Sequence, residues 1–340
     1  MSLLLFSVGI SSGQSFSNRI DHVVHKYDSL GSYNGIIILG FGHDSVMTFE
    51  YGYKDPTSKK DKISIKDLFD LASLTKQFTG LAVLQLIDQR VLKPDDSIGK
   101  YFPELKPALQ KVTIQQLANH TNGIHDFYSL TSRHDTLSVK STLKLLSGLD
   151  STVFSPGTKW GYSNSGYFLL SELVERATHR RFWLDYMSND ILHPLNMSNF
   201  DFGFHKTGTL SGYTSSLQPL NYNAFASGEA GLYCSGTDMI SYYKTVCNDS
   251  VKWNKLFSNA YNLSDNSNEQ NWKYGFGWYY SQDKFGTFRA HSGKNEGAFS
   301  YIRWYDKSNV FICMLSNKSD SFIKQLREEI VVMLTTELKK

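Results

Sequence analysis

Phe69-Asp70-Leu71-Ala72-Ser73-Leu74-Thr75-Lys76-Gln77-Phe78-Thr79-Gly80-Leu81-Ala82-Val83-Leu84-Gln85-Leu86-Ile87 is the stretch around which the chain is organised. From Phe78 to Ile87 it carries no charge and is apolar nearly all round, which suits a helix buried on every side. A lysine in the first turn of such a helix requires a reason. Ser73 and Lys76 are three residues apart, so on a helix their side chains lie one above the other, within reach of a shared hydrogen bond. A serine hydroxyl becomes a useful nucleophile when an adjacent base takes its proton. Burial and the positive helix N-terminus both disfavour an ammonium ion and so prepare lysine for that task. Ser-x-x-Lys recurs at Ser97, Ser141, Ser241, Ser281 and Ser321, but only Ser73 stands at the mouth of the long apolar helix.

With 340 residues the chain can bury a large core as one domain or two fused lobes. Its 20 Tyr and 22 Phe suit an aromatic-lined cleft for a small molecule or a peptide, or simply an aromatic core. A net charge of +3 gives no basic groove, so no nucleic-acid partner is expected. The three cysteines, Cys234, Cys247 and Cys313, lack metal-type spacing and are too few for a disulfide framework, leaving room for one bridge. His22 and His25 have no third ligand nearby and read as a solvated face, so neither metal nor cofactor is expected. Met1 to Gly13 is a short apolar run followed by small residues, resembling the back half of a secretory signal without its charged start. It is too short to span a bilayer, and a periplasmic or secreted protein is expected.

Apolar spacing predicts a helix over 16–30, a hairpin from strands 35–42 and 45–53, and a polar connection up to Lys66. A short capped helix follows over 113–120, then a polar loop over 129–140 and a helix over 168–177. The glycine-rich turn 227–236 leads to a helix over 238–246, capped by Thr237, and to a polar loop over 264–270. Beyond it the period changes to two, predicting four strands (274–280, 286–291, 298–305 and 310–316) and a closing helix over 322–338. Strands at both ends with helices between them predict an α/β (α+β) chain. An antiparallel sheet would form from residues 16–65 and 270–340, and an all-helical lobe from 66–269, with a ligand cleft between them. Residues 1–15 would be the remnant of the signal.

Tyr162-Ser163-Asn164 is the only Tyr-x-Asn in the chain and His291-Ser292-Gly293 the only His-x-Gly. The order Ser73-x-x-Lys76, Tyr162-x-Asn164, His291-x-Gly293 resembles the penicillin-recognising serine hydrolases. Within them it is most similar to the group of class C β-lactamases, D-alanyl-D-alanine carboxypeptidases and related bacterial esterases. Leu117-Ala118-Asn119-His120-Thr121-Asn122-Gly123-Ile124, Pro156-Gly157 and Ala230-Gly231-Leu232-Tyr233-Cys234-Ser235 extend the resemblance from about residue 20 to the C-terminus. A related lineage ends its motif set with Lys-Thr-Gly. This chain holds Lys206-Thr207-Gly208 as well, but in a stretch with little strand pattern, so the role goes to His291 and Lys206 reads as a loop residue.

The resemblance implies a β-lactamase/transpeptidase-like fold and a Ser73 acyl-enzyme, with Lys76 and Tyr162 sharing base and proton-relay work. Which of the two is the base stays open; a Lys76 cation beside Tyr162 would lower the phenol's pKa in the direction a base needs. Asn164, His291, Ser292, Gly293, Lys294 and, more remotely, Asn119 would bind substrate, the backbone N–H groups of Ser73 and Lys294 forming the oxyanion hole. The implied substrate is a β-lactam, a D-amino-acid peptide or an ester. A family esterase, or a penicilloyl- or peptide-binding sensor with little turnover, is the alternative. Histidine in place of a permanent lysine charge weakens recognition of a substrate carboxylate unless Arg289 or Lys294 supplies one.

Overall fold

The computed structural model describes residues 13–27, 33–42, 45–131, 137–179, 182–203, 208–220, 227–248, 250–265, 271–319 and 322–337. The helices are α1 (Gly13–His25), α2 (Thr75–Asp88), α3 (Pro107–Gln110), α4 (Ile114–Ala118), α5 (Val139–Ser147), α6 (Asn164–Thr178), α7 (Trp183–Tyr186), α8 (Gly236–Asn248), α9 (Ser250–Asn262) and α10 (Ile323–Glu337). The strands are β1 (Gly35–Phe41), β2 (Ser45–Tyr51), β3 (Leu68–Asp70), β4 (Phe200–Phe202), β5 (Gly212–Tyr213), β6 (Pro219–Leu220) and β7 (Leu232–Ser235). They continue with β8 (Lys273–Gly275), β9 (Trp278–Asp283), β10 (Gly286–Asn295), β11 (Ala298–Tyr305) and β12 (Val310–Ser316).

The main sheet has seven strands in the order β2-β1-β12-β11-β10-β9-β8, with every neighbouring pair antiparallel. β1, from the N-terminal segment, is second from one edge and lies between β2 and β12, Ile37 opposite Met314. Both faces of β1 are covered, which is why Ile36 to Leu39 read as a continuous apolar run. Ile37 and Leu39 join Phe16, Ile20 and Val24 of α1 and Leu326 and Ile330 of α10 in one core. Ile36 and Ile38, one step along the pleat, point the other way into the larger core around α2, α6 and α8. The sheet is therefore sandwiched between the terminal helices and the middle of the chain.

The reading of that middle as all-helical is corrected: it also carries the three-stranded sheet β3-β7-β4 and the hairpin β5-β6. These strands are two to four residues long, below the length at which alternation is visible in a sequence. The predicted strand 274–280 is likewise two strands. It folds back at Phe276 and Gly277, whose φ angles of 52° and 84° make the tight turn of a hairpin. An added Cβ on Gly277 would lie 2.5 Å from Gln77 Cα, so this turn is seated directly on α2.

α2 matches its expectation closely. Thr75 to Leu84 are all buried, Lys76 among them, and Phe276 O lies 2.2 Å from where a Cβ on Gly80 would be. The N-terminal run 1–12 and the Lys206-Thr207 pair lie outside the described residues, as do parts of the 129–140 and 264–270 loops. Among the described residues, no helix is long and apolar enough to cross a membrane and no group of His, Cys, Asp or Glu is placed to hold a metal. Cys234 and Cys313 are buried free thiols.

Candidate active site

β3 leads to Ser73, the candidate nucleophile. It pairs with β7, Phe69 opposite Cys234, and then turns through Ala72, a non-glycine residue held at a φ of 46°. The Asp70 carboxylate accepts the Ala72 N–H at 2.7 Å, and Asp70 in turn accepts from the Asn295 side chain at the end of β10. Two elements therefore fix the bend that presents Ser73 in a single 3-10 turn before α2. A strained residue next to a nucleophile is where such strain is commonly stored.

Lys76 Nζ lies 3.1 Å from Ser73 Oγ, 2.8 Å from Asn164 Oδ1 and 2.8 Å from the Glu229 carbonyl oxygen. The last two atoms only accept. A neutral amine that donates its two N–H bonds to them keeps its lone pair for the serine hydroxyl. Burial pulls the lysine down to about 7, while the carboxylates of Glu229 and Asp126 hold it up against a still lower value. Asn164 is itself oriented, because its backbone N–H and its side-chain amide both donate to Asp126 Oδ2, at 2.7 and 3.1 Å.

Tyr162 sits over this group, its ring centroid 5.0 Å from Lys76 Nζ. Burial pushes its phenol above the ordinary tyrosine value, and Asp126 and Glu229 push the same way, against a hydrogen bond with Ser73 that pulls it down. This overturns the expectation that Lys76 would bring the phenol down to the range of a base. Loss of water around the hydroxyl outweighs its neighbours, and the phenol keeps its proton.

The His-x-Gly stretch forms the free end of β10. β9 pairs with β10 only as far as Ala290, whereas β11 pairs on to Asn295, so among the described residues 291–295 have no strand on the β9 side. A Cβ on Gly293 would meet Leu71 O at 2.1 Å and Ser73 N at 3.0 Å, so only glycine allows this approach. His291 and Gly293 are buried and Ser292 and Lys294 exposed, the alternation of a strand with one covered face. His291 Nδ1 lies 2.8 Å from Ser292 O, which requires Nδ1–H and leaves Nε2 to accept the Tyr274 hydroxyl at 3.0 Å. The ring is neutral: burial and the neighbouring Lys76 bring its pKa down to about 3.

The structure thus brings Ser73, Lys76, Tyr162 and Asn164 into one cluster, with Gly293 beside Ser73. It does not bring in Asn119, which is buried beneath β8 and donates its amide to Leu263 O. Arg289 does not supply charge either. Its guanidinium is bound to Asp306 at 2.7 Å and packed 4.1 Å from the Phe257 ring. Three residues of the cluster were not anticipated. Asp126 and Glu229 flank Lys76, and Tyr128 donates to Glu229 Oε1 at 3.2 Å, while the other Glu229 oxygen accepts from Ser227. Of the three only Glu229 carried a sequence signal, its place in the glycine turn Gly228-Glu229-Ala230-Gly231.

A serine and a buried lysine at the start of a core helix, faced by a tyrosine and by the glycine of an open strand end, form an arrangement chemically suited to acyl transfer through serine. The chain belongs to the Beta-lactamase family, whose profile matches residues 20–332. "Protein flp" of Staphylococcus aureus (strain MRSA252) is 28% identical over 342 residues, covering 94% of this chain, which spans 66% of the length of that relative. Among solved structures, the penicillin binding protein from Bacillus halodurans superposes with a TM-score of 0.81 at 19% identity, over 93% of this chain and 99% of that one. The D-amino acid amidase from Ochrobactrum anthropi SV3, complexed with L-phenylalanine, also reaches 0.81, at 18% identity over 96% and 98%. These structures share the fold.

Proposed function

We propose that the protein is a serine acyl hydrolase in which Ser73 forms the acyl-enzyme, acting on a D-amino-acid peptide or amide, a β-lactam or an ester. The observation that carries this reading is the buried Lys76 amine, 3.1 Å from Ser73 Oγ, with both of its N–H bonds directed at acceptor-only oxygens.

In this reading Lys76 is the base. Its lone pair takes the Ser73 proton as Oγ bonds to the carbonyl carbon, and the developing oxyanion turns to the N–H groups of Ser73 and Lys294, each contributing roughly 3 kcal/mol. When the bond to the leaving group breaks, the proton passes from Lys76 through the Tyr162 hydroxyl to the departing atom. A phenol that keeps its proton suits that relay better than it suits a base. Water then enters, Lys76 activates it in the same way, and the acid is released. Asn164 orients the amine and offers its amide to the substrate.

Membership of the Beta-lactamase family and the likeness to a penicillin binding protein and a D-amino acid amidase support the substrate class. A place outside the cytoplasm rests on the N-terminal apolar run alone. The test is an intact-mass time course with a penicillin, wild type beside Ser73→Ala. We expect a serine-dependent adduct; one that persists marks a penicillin-binding peptidase, and one that clears marks a β-lactamase. An equal adduct on Ser73→Ala would remove Ser73 from the mechanism.

A further inference from the structure

The relay through Tyr162 fixes where the leaving group must be. A group that receives its proton from the phenol lies against the phenol, so the side chains around Tyr162 line its pocket. Those side chains are aromatic. Trp160 is 6.4 Å from Tyr162 between ring centroids, and Trp272 is 5.0 Å from Trp160. Tyr279 is 5.1 Å from Trp272, His291 is 5.3 Å from Tyr279, and Tyr162 closes the circuit 6.5 Å from His291. Tyr274, fully buried, is the floor: its ring is 4.6 Å from Tyr279, 5.7 Å from His291 and 6.4 Å from Trp160. Trp160, Trp272, Tyr279 and Tyr162 are only half-buried, so this bowl of packed rings, with His120 4.3 Å from Tyr162 beneath it, keeps part of its aromatic surface in contact with solvent.

No side chain of the bowl carries a positive charge. His291 spends one nitrogen on Ser292 O and the other on Tyr274. Arg289 is taken by Asp306 and the rings of Phe257 and Trp304. Lys294 projects from the exposed face of β10, opposite to His291 and Gly293. Lys273 lies over Tyr261, 4.6 Å from its ring, and Lys159, next to Trp160, is exposed. The carboxylates of Asp126 and Glu229 act on both Lys76 and Tyr162.

We propose that this aromatic bowl is the leaving-group subsite and that it selects neutral, apolar leaving groups, such as an aryl alcohol or an uncharged amine, over those carrying a carboxylate. The inference rests on the acyl-transfer reading of Ser73. Burying an apolar ring against these faces is favourable, with edge-to-face contacts adding to the area term. A carboxylate there would lose its water with no cation to pair with and with Asp126 and Glu229 behind the relay. A leaving group with a free carboxylate, a penicillin's ring or a C-terminal residue among them, should therefore leave Ser73's acylation slower than with a neutral amide or ester, without abolishing it.

Two esters with the same small acyl group test it: phenyl acetate and 3-carboxyphenyl acetate, with Ser73→Ala as the blank. We expect the wild type to turn over phenyl acetate with a kcat/KM at least about tenfold higher, the equivalent of about 1.4 kcal/mol. Trp272→Ala should lower the phenyl acetate value several-fold and leave the carboxylated ester nearly unchanged, and Trp272→Lys should raise the carboxylated ester. Equal turnover of the two esters by the wild type, or an equal loss on both in Trp272→Ala, overturns the subsite. Hydrolysis of neither ester beyond the blank overturns instead the acyl-hydrolase reading on which it stands.

Discussion

Lys76 is held by three oxygens, and in the proposed role of base its burial sets the pH at which it works. The base form exists above the lysine's pKa, and burial brings that value down to about 7. Acylation should therefore be flat at alkaline pH and fall about tenfold per unit below pH 7. Glu229 faces the same amine and favours its charged form. Glu229→Gln removes that support, so the acid limb of the pH profile should move to lower pH. An unmoved limb would mean that the Glu229 carboxyl, pushed up by its own burial, is already neutral in the working protein. A single-turnover pH series on both proteins measures the effect.

At the scale of elements, α2 is the part that its sequence announced most clearly. Ten uncharged residues in a row can satisfy their surroundings only inside a core, and Ser73 and Lys76 at its mouth were legible for the same reason. The late strands were legible through alternation, and Gly293 through its motif. The partners of Lys76 were not. Asp126 and Glu229 lie 50 and 153 residues away along the chain, and apart from the glycines around Glu229 nothing local distinguishes a carboxylate that will be buried from one that will be solvated. α5 and α9 were also missed. α5 starts at a capping box, Ser138 with Ser141, inside a stretch read as loop, and α9 went unread although Trp253, Leu256, Phe257 and Ala260 stand at helical spacing and are buried. The turn at Phe276 and Gly277, where one strand was expected, gives the prediction at this scale. Gly277→Ala introduces a Cβ at φ 84° and 2.5 Å from the α2 backbone, and should cost on the order of 2 kcal/mol or more. A urea midpoint unchanged from the wild type would show that α2 can move aside.

For the whole molecule, the question is what keeps the middle of the chain on the sheet. The division expected from sequence, 16–65 with 270–340 against 66–269, remains our proposal for its organisation. α8 crosses that division. Its Tyr243 ring stacks 4.8 Å from Phe311 of β12 and fills the space left by Gly40 of β1, where a Cβ would touch the ring. The Tyr243 hydroxyl donates to the carbonyls of Gly42 and Asn309. Tyr243→Ala should destabilise by about 3–5 kcal/mol, the range for deleting a buried aromatic ring. Denaturation followed by tryptophan fluorescence would measure the loss, and a change under 1 kcal/mol would place the main adhesion between the two parts elsewhere.

The free end of β10 has a further consequence, for association. An unpaired strand edge recruits any extended chain, and an edge running the full length of a sheet invites copies of the protein to join through it. Here the opening runs only from His291 to Asn295, overhung by the turn that carries Ser73 and bordered by the charges of Lys294 and Glu296. It is long enough to seat the backbone of a short ligand and too short to template a second copy. The longer open edge among the described residues is instead the outer side of β2, Ser45–Tyr51, at the end of the sheet.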